Sequence, residues 1–207
     1  MNDNINEIRL KKFRAVILGL EGVGKSSLLD VYSGIEFKED IYTNFMTSDY
    51  IKRIKFEDSD YNIRIFDTPG RERFLNTLRG YIRNAQIIIL VFDMTKKDSF
   101  LYLDKILELI FETINDNKVM FVLIGNKADL RDKWEIKESD AKKFANILHA
   151  KFFLSSAKKE QRELQDFLDG VFQDYIRIYN GRFPNQERQR VINLNQRNRR
   201  QIRQCFV

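Results

Sequence analysis
Gly19-Leu20-Glu21-Gly22-Val23-Gly24-Lys25-Ser26 reads G-x-x-x-x-G-K-S, the spacing of a phosphate-binding loop. It follows the apolar run Ala15-Val16-Ile17-Leu18 and precedes Ser27-Leu28-Leu29, a helix-like start. Strand, glycine-rich loop and helix form the context this motif needs. Glycines let the backbone wrap a phosphate with its N–H groups. Lys25 brings a point charge to the β- and γ-phosphates, and Ser26 offers a hydroxyl to Mg2+.

Outward from this loop the chain alternates strand-like and helix-like segments. Strands are predicted near 12–18, 49–57, 61–67, 87–93, 119–125 and 151–155. Helices are predicted near 25–33, 72–84, 98–116, 137–149 and 160–180. Ile87 to Phe92 and Val119 to Ile124 are continuous apolar runs, as strands buried on both faces should be. Residues 50–57 alternate and should pair at an edge. Asp98-Ser99 and Ser139-Asp140 signal helix starts. Such alternation implies an α/β sheet with helices on both faces, and ligands then gather at the carboxyl ends of strands.

Three more motifs fall at such ends. Asp67-Thr68-Pro69-Gly70 follows the third strand; its carboxylate can hold Mg2+ through water, and Gly70 lets an N–H approach the γ-phosphate. Asn126-Lys127-Ala128-Asp129 follows the fifth strand. The Asp129 carboxylate can accept from N1–H and the exocyclic amine of guanine, donors that adenine lacks. Ser156-Ala157-Lys158 follows the sixth strand, placed to close over the base. Each motif alone has an ordinary explanation as a polar loop or turn, but four in order at strand ends do not arise readily by chance.

With these motifs the chain resembles the small Ras-like GTPases over about residues 12–180, and the Rab branch most closely. Asn62 to Asp67 looks like the Rab strand before D-T-x-G. Glu72-Arg73-Phe74, Tyr81-Ile82-Arg83-Asn84-Ala85 and Leu90 to Thr95 look like its E-R-F, Y-Y-R-G-A and L-V-Y-D-x-T segments. The interval from Asp129 to Ser156 leaves no room for the extra helix of Rho proteins. The resemblance implies a six-stranded, mostly parallel sheet flanked by five helices. It also implies GTP and GDP with Mg2+, and GTP hydrolysis.

The implied phosphate contacts are Gly19, Glu21, Gly22, Val23, Gly24, Lys25, Ser26, Ser27 and Gly70. The implied base contacts are Phe37, Asn126, Lys127, Asp129, Leu130, Ser156, Ala157 and Lys158. Ser26 and Asp67 would serve Mg2+. Effector proteins, an exchange factor and a GTPase-activating protein are implied partners; effectors would engage switch segments near 36–50 and 68–84. Phe66 and Tyr81 match two aromatics that Rab proteins present to effectors; the third position is Asp49, beside Tyr50. A monomer is expected, acting in vesicle traffic from the cytosolic face of membranes.

Two departures bear on catalysis. The family's D-T-A-G-Q reads Asp67-Thr68-Pro69-Gly70-Arg71, so Arg71 replaces the glutamine that orients the attacking water. Arginine has no acceptor for a water's proton. It can lie against a phosphate or point into solvent. In the first switch the family's T-I-G reads Asn44-Phe45-Met46. Asn44 offers a carbonyl to Mg2+, and a one-residue shift would bring in Thr43. Met46 in place of glycine argues against the usual tight course over GTP. Slow hydrolysis is therefore expected; a guanine-nucleotide-stabilised module whose switches barely move is the alternative.

Composition sets the outer limits. The 207 residues are 43% hydrophobic and 32% charged, which suits one globular domain with extensions. The expected division is an extension at 1–11, the nucleotide-binding domain at 12–181 and a tail at 182–207. One cysteine excludes an internal disulfide framework, and one histidine makes a zinc site improbable. No signal peptide or membrane-spanning run is read. Residues 182–207 hold seven arginines against Glu187, which accounts for the whole net charge of +6. This basic, polar tail is expected to be disordered when free. Its Cys205 lies third from the end, outside C-a-a-X. A lipid there plus the arginines would give two membrane signals. The alternatives are an unmodified tail or charge-driven, nonspecific RNA binding; no specific nucleic acid is expected.

Overall fold
In the apolar runs around the phosphate loop, alternate side chains fall on opposite faces of one sheet, and each face finds its own helices. The computed structural model describes residues 11–38, 48–114, 119–159 and 161–180. Thr43, Asn44, Met46 and the tail with Cys205 lie outside the described residues. Strands β1 (Lys11–Leu18), β2 (Ser48–Phe56), β3 (Ser59–Asp67), β4 (Ile87–Asp93), β5 (Met120–Asn126) and β6 (Lys151–Leu154) form one sheet in the order β2-β3-β1-β4-β5-β6. Every neighbouring pair is parallel except β2 with β3. The alternating segment is thus the antiparallel edge, as its pattern predicts.

Helices α1 (Lys25–Tyr32), α2 (Leu75–Arg83), α3 (Lys97–Thr113), α4 (Glu138–Leu148) and α5 (Gln161–Tyr179) cover the sheet. Val16, Leu18, Ile88, Leu90, Phe121 and Leu123 face α2, α3 and α4. Ala15, Ile17, Ile87, Ile89, Val122 and Ile124 face α1 and α5. This period-2 division explains why β4 and β5 are wholly buried and carry no polar side chain before their last residues, Asp93 and Asn126. Each such Val, Leu, Ile or Phe side chain contributes about 1.5–3 kcal/mol through burial.

Some local expectations change. The segment expected as one helix over 72–84 opens with a separate 3-10 turn, Glu72–Phe74, before α2. The caps of α3 and α4 are Lys96 and Lys137, without side-chain capping bonds. Asp98 and Asp140 sit in the first turns, as expected, where they favour the helix dipole. Ser99 turns back: its Oγ donates to Lys96 O at 2.7 Å and accepts from Asp93 N at 2.9 Å. His149 is an exposed residue that ends α4 at φ 51°. Trp134 is a packing anchor against the α3–α4 layer, with the Arg131 guanidinium 5.8 Å from its ring.

The far end of the sheet carries an aromatic cluster. Phe13 meets Tyr175 at 5.1 Å and Tyr179 at 5.0 Å between ring centroids, both edge-on, and stacks on Tyr61. Asn180 Nδ2 donates to Tyr61 Oη at 2.9 Å, so the end of α5 is fixed beside the starts of β1 and β3.

Candidate functional site
The phosphate loop leaves β1 and turns into α1 through Gly24, whose φ is 95°. A Cβ there would lie 2.3 Å from Asn126 Nδ2, so conformation and space both require glycine. Asn126 explains the closeness. Its Nδ2 donates to Val23 O at 2.8 Å, and its Oδ1 accepts from Ala157 N at 3.4 Å. Next along, Lys127 Nζ donates to Gly22 O at 3.1 Å and pairs with Asp93 Oδ2 at 2.6 Å. Ala128 N donates to Ser155 O at 2.9 Å. The loops after β1, β5 and β6 are therefore one bonded unit.

Asp129 follows on this unit, half-buried, with Leu130 exposed beside it. Ser156 and Ala157 are buried and Lys158 is exposed on the loop after β6. Ser156 Oγ accepts from Lys159 N at 3.2 Å. Phe37 is half-buried on the α1–α5 side of the sheet.

Across the loop, Ser26 Oγ donates to Asp67 Oδ2 at 2.6 Å. Asp67 is fully buried, and the adjacent Thr68 is held by donating its Oγ1 proton to Ile17 O at 2.6 Å. A hydroxyl beside a carboxylate is a pair of hard oxygen donors. Mg2+ accepts such a sparse protein set when phosphates and waters complete its octahedron. The residues fit the ion.

Lys25 is buried within the loop, where its Nζ donates to Gly19 O at 3.0 Å and Leu20 O at 3.1 Å. Burial lowers its pKa to about 8, opposed by the charges of Asp67 and Glu21. Gly70 packs directly onto this corner. A Cβ on it would lie 2.4 Å from Glu21 N and 2.6 Å from Lys25 Nζ, and Glu21 N donates to Gly70 O at 3.1 Å.

Arg71 reaches back to the phosphate loop. Its Nε donates to Glu21 Oε2 at 2.7 Å, and both side chains are 37% exposed. The pairing raises the guanidinium's pKa and lowers that of the carboxyl. The Glu21 side chain thus engages the second loop, while its backbone N–H lies on the phosphate-loop corner beside Gly70.

On the outer edge, Phe66 and Tyr81 meet at 5.1 Å between ring centroids, and the Arg64 guanidinium lies 4.9 Å over Phe66. Asp49 occupies the third position of this patch and accepts from Arg64 Nε at 2.7 Å. Ile51 is exposed on the same edge strand.

The family description "Ras family" matches residues 14–177, which spans all four loops. The chain belongs to the Ras family. Within that family of GTPases it is Rab-like. It is 35% identical over 180 residues to the GTP-binding protein ypt1 of Schizosaccharomyces pombe, covering 83% of this chain and 84% of that one. It is 29% identical over 166 residues to the Ras-related protein Rab-12 of Mus musculus, covering 80% of this chain and 68% of that one. The six-stranded sheet with its five helices is that of a small GTPase domain.

Proposed function
We propose that this Rab-like chain binds GTP and GDP with Mg2+ and hydrolyses GTP slowly, as a switch in membrane traffic. The observation that carries slow hydrolysis is Arg71, held on Glu21 where the family has a glutamine. A guanidinium cannot accept the proton of an attacking water, so the water would lack its usual orienting group. Ser26 and Asp67 would hold Mg2+, which supplies charge neutralisation along the phosphates. Lys25 and the loop N–H groups would bind phosphate, and Asp129 would select guanine. Thr43 or Asn44 would complete the metal site from the first switch.

Single-turnover hydrolysis tests this reading. Arg71→Gln should accelerate GTP cleavage at least tenfold, as a recovered water-orienting group would. Wild-type turnover as fast as Arg71→Gln would sink it.

A second reading, a guanine-nucleotide-stabilised module whose switches barely move, draws on a different observation. Glu21 N and Lys25 Nζ are both engaged by backbone carbonyls of the two loops. Effector affinity would then be equal with GDP and with a GTP analogue, since equal affinity shifts no population.

Effectors would dock on segments 36–50 and 68–84, with an exchange factor and a GTPase-activating protein acting on the same face. The arginines of 182–207 and a lipid on Cys205 would anchor the chain to cytosolic membrane surfaces. Among the described residues no helix is long and apolar enough to cross a membrane. Intact mass of the C-terminal peptide from native cells checks the anchor; an unmodified peptide removes it.

A further inference from the structure
We propose that Glu21 and Arg71 form a charge-compensated pair that sets the balance between nucleoside triphosphate and diphosphate at the loop. This deepens the nucleotide reading above and rests on it. Glu21 N and Lys25 Nζ converge on Gly70, each within 2.6 Å of where its Cβ would stand. Those two donors are of the kind that meets a terminal phosphate. The Glu21 carboxylate is held near that corner by Arg71, the residue next to Gly70, at 2.7 Å.

Uncompensated, that carboxylate would repel the triphosphate more than the diphosphate, because the extra charge of the triphosphate lies nearest to it. Arg71 meets it at 2.7 Å from the segment after β3. The pair is only partly buried, so its contribution to folding is small. Its electrostatic effect falls on the ligand instead. Arg71 then acts by neutralising Glu21, and Glu21 is the selectivity-determining residue.

Four proteins distinguish this from the simpler idea that Arg71 touches phosphate itself: wild type, Glu21→Gln, Arg71→Gln and the double variant. Affinities for GDP and a non-hydrolysable GTP analogue are read by displacement of a fluorescent nucleotide. Thermal melts confirm that each variant is folded. Arg71→Gln should weaken the analogue about tenfold relative to GDP. Adding Glu21→Gln should abolish that loss and restore the wild-type ratio. An equal loss in the single and double variants would overturn the proposal, because it would mean that Arg71 binds phosphate directly. GDP binding with one unchanged ratio in all four proteins would overturn it too, while leaving the nucleotide reading intact. Failure of wild type to bind either nucleotide would sink both.

Discussion

Lys127 Nζ lies 2.6 Å from Asp93 Oδ2, on a carboxylate with no exposed surface. The other oxygen, Oδ1, accepts from Thr95 N at 2.9 Å and Thr95 Oγ1 at 2.7 Å. Removing the lysine leaves a buried charge short of its partner. Lys127→Met should therefore destabilise the protein by about 2 kcal/mol, discounted because the lysine side chain is a third exposed. Adding Asp93→Asn should recover much of that loss. Urea unfolding midpoints of the three proteins check it.

Asn126 joins three loops with one amide. Asn126→Ala removes both bonds and leaves Val23 O and Ala157 N without them, at a cost of about 2 kcal/mol. Nucleotide dissociation should accelerate for GDP and a GTP analogue alike, since neither contact depends on a terminal phosphate. Stopped-flow release of a fluorescent nucleotide measures this.

Glu21 titrates below its ordinary value because Arg71 donates to its charged form. A lowered folded pKa means that the pair's stabilisation is complete above the unfolded carboxyl's pKa and fades as pH falls through the folded one. In Arg71→Gln the carboxyl should titrate at higher pH than in wild type. Carbon-13 shifts of the Glu21 carboxyl across an acid titration report it; coincident curves would rule the coupling out.

Tyr32 is buried, and its hydroxyl donates to Asp169 Oδ1 at 2.6 Å, tying α1 to α5. Burial first, then this bond, raises its pKa, so the phenol stays protonated in any ordinary buffer. Tyr32→Phe should cost about 1 kcal/mol in chemical denaturation and leave nucleotide affinity within twofold.

The apolar runs at 87–92 and 119–124 were legible because two-sided burial leaves no room for polar residues. The placement of the four motifs in loops after β1, β3, β5 and β6 was legible because each follows directly on a strand-like run. The charge pairs were not. Lys127 meets Asp93 only because β4 and β5 are neighbours in a register that sets Asp93 beside Asn126. Glu21 meets Arg71 only because β1 lies beside β3. Such pairs depend on strand order, which no local pattern carries. The break at Glu72–Phe74 was missed because three residues are too few for the 3.0-residue period of a 3-10 turn to show against the 3.6-residue period that follows.

The aromatic cluster around Phe13 fixes where the described chain ends relative to the phosphate loop. The end of α5 is fastened to the starts of β1 and β3, while the phosphate loop opens at the other end of β1, about 25 Å away along an eight-residue strand. A tether pulling on the chain after residue 180 would pull from the blunt end. The phosphate loop would then lie at the end of the sheet away from the point of attachment.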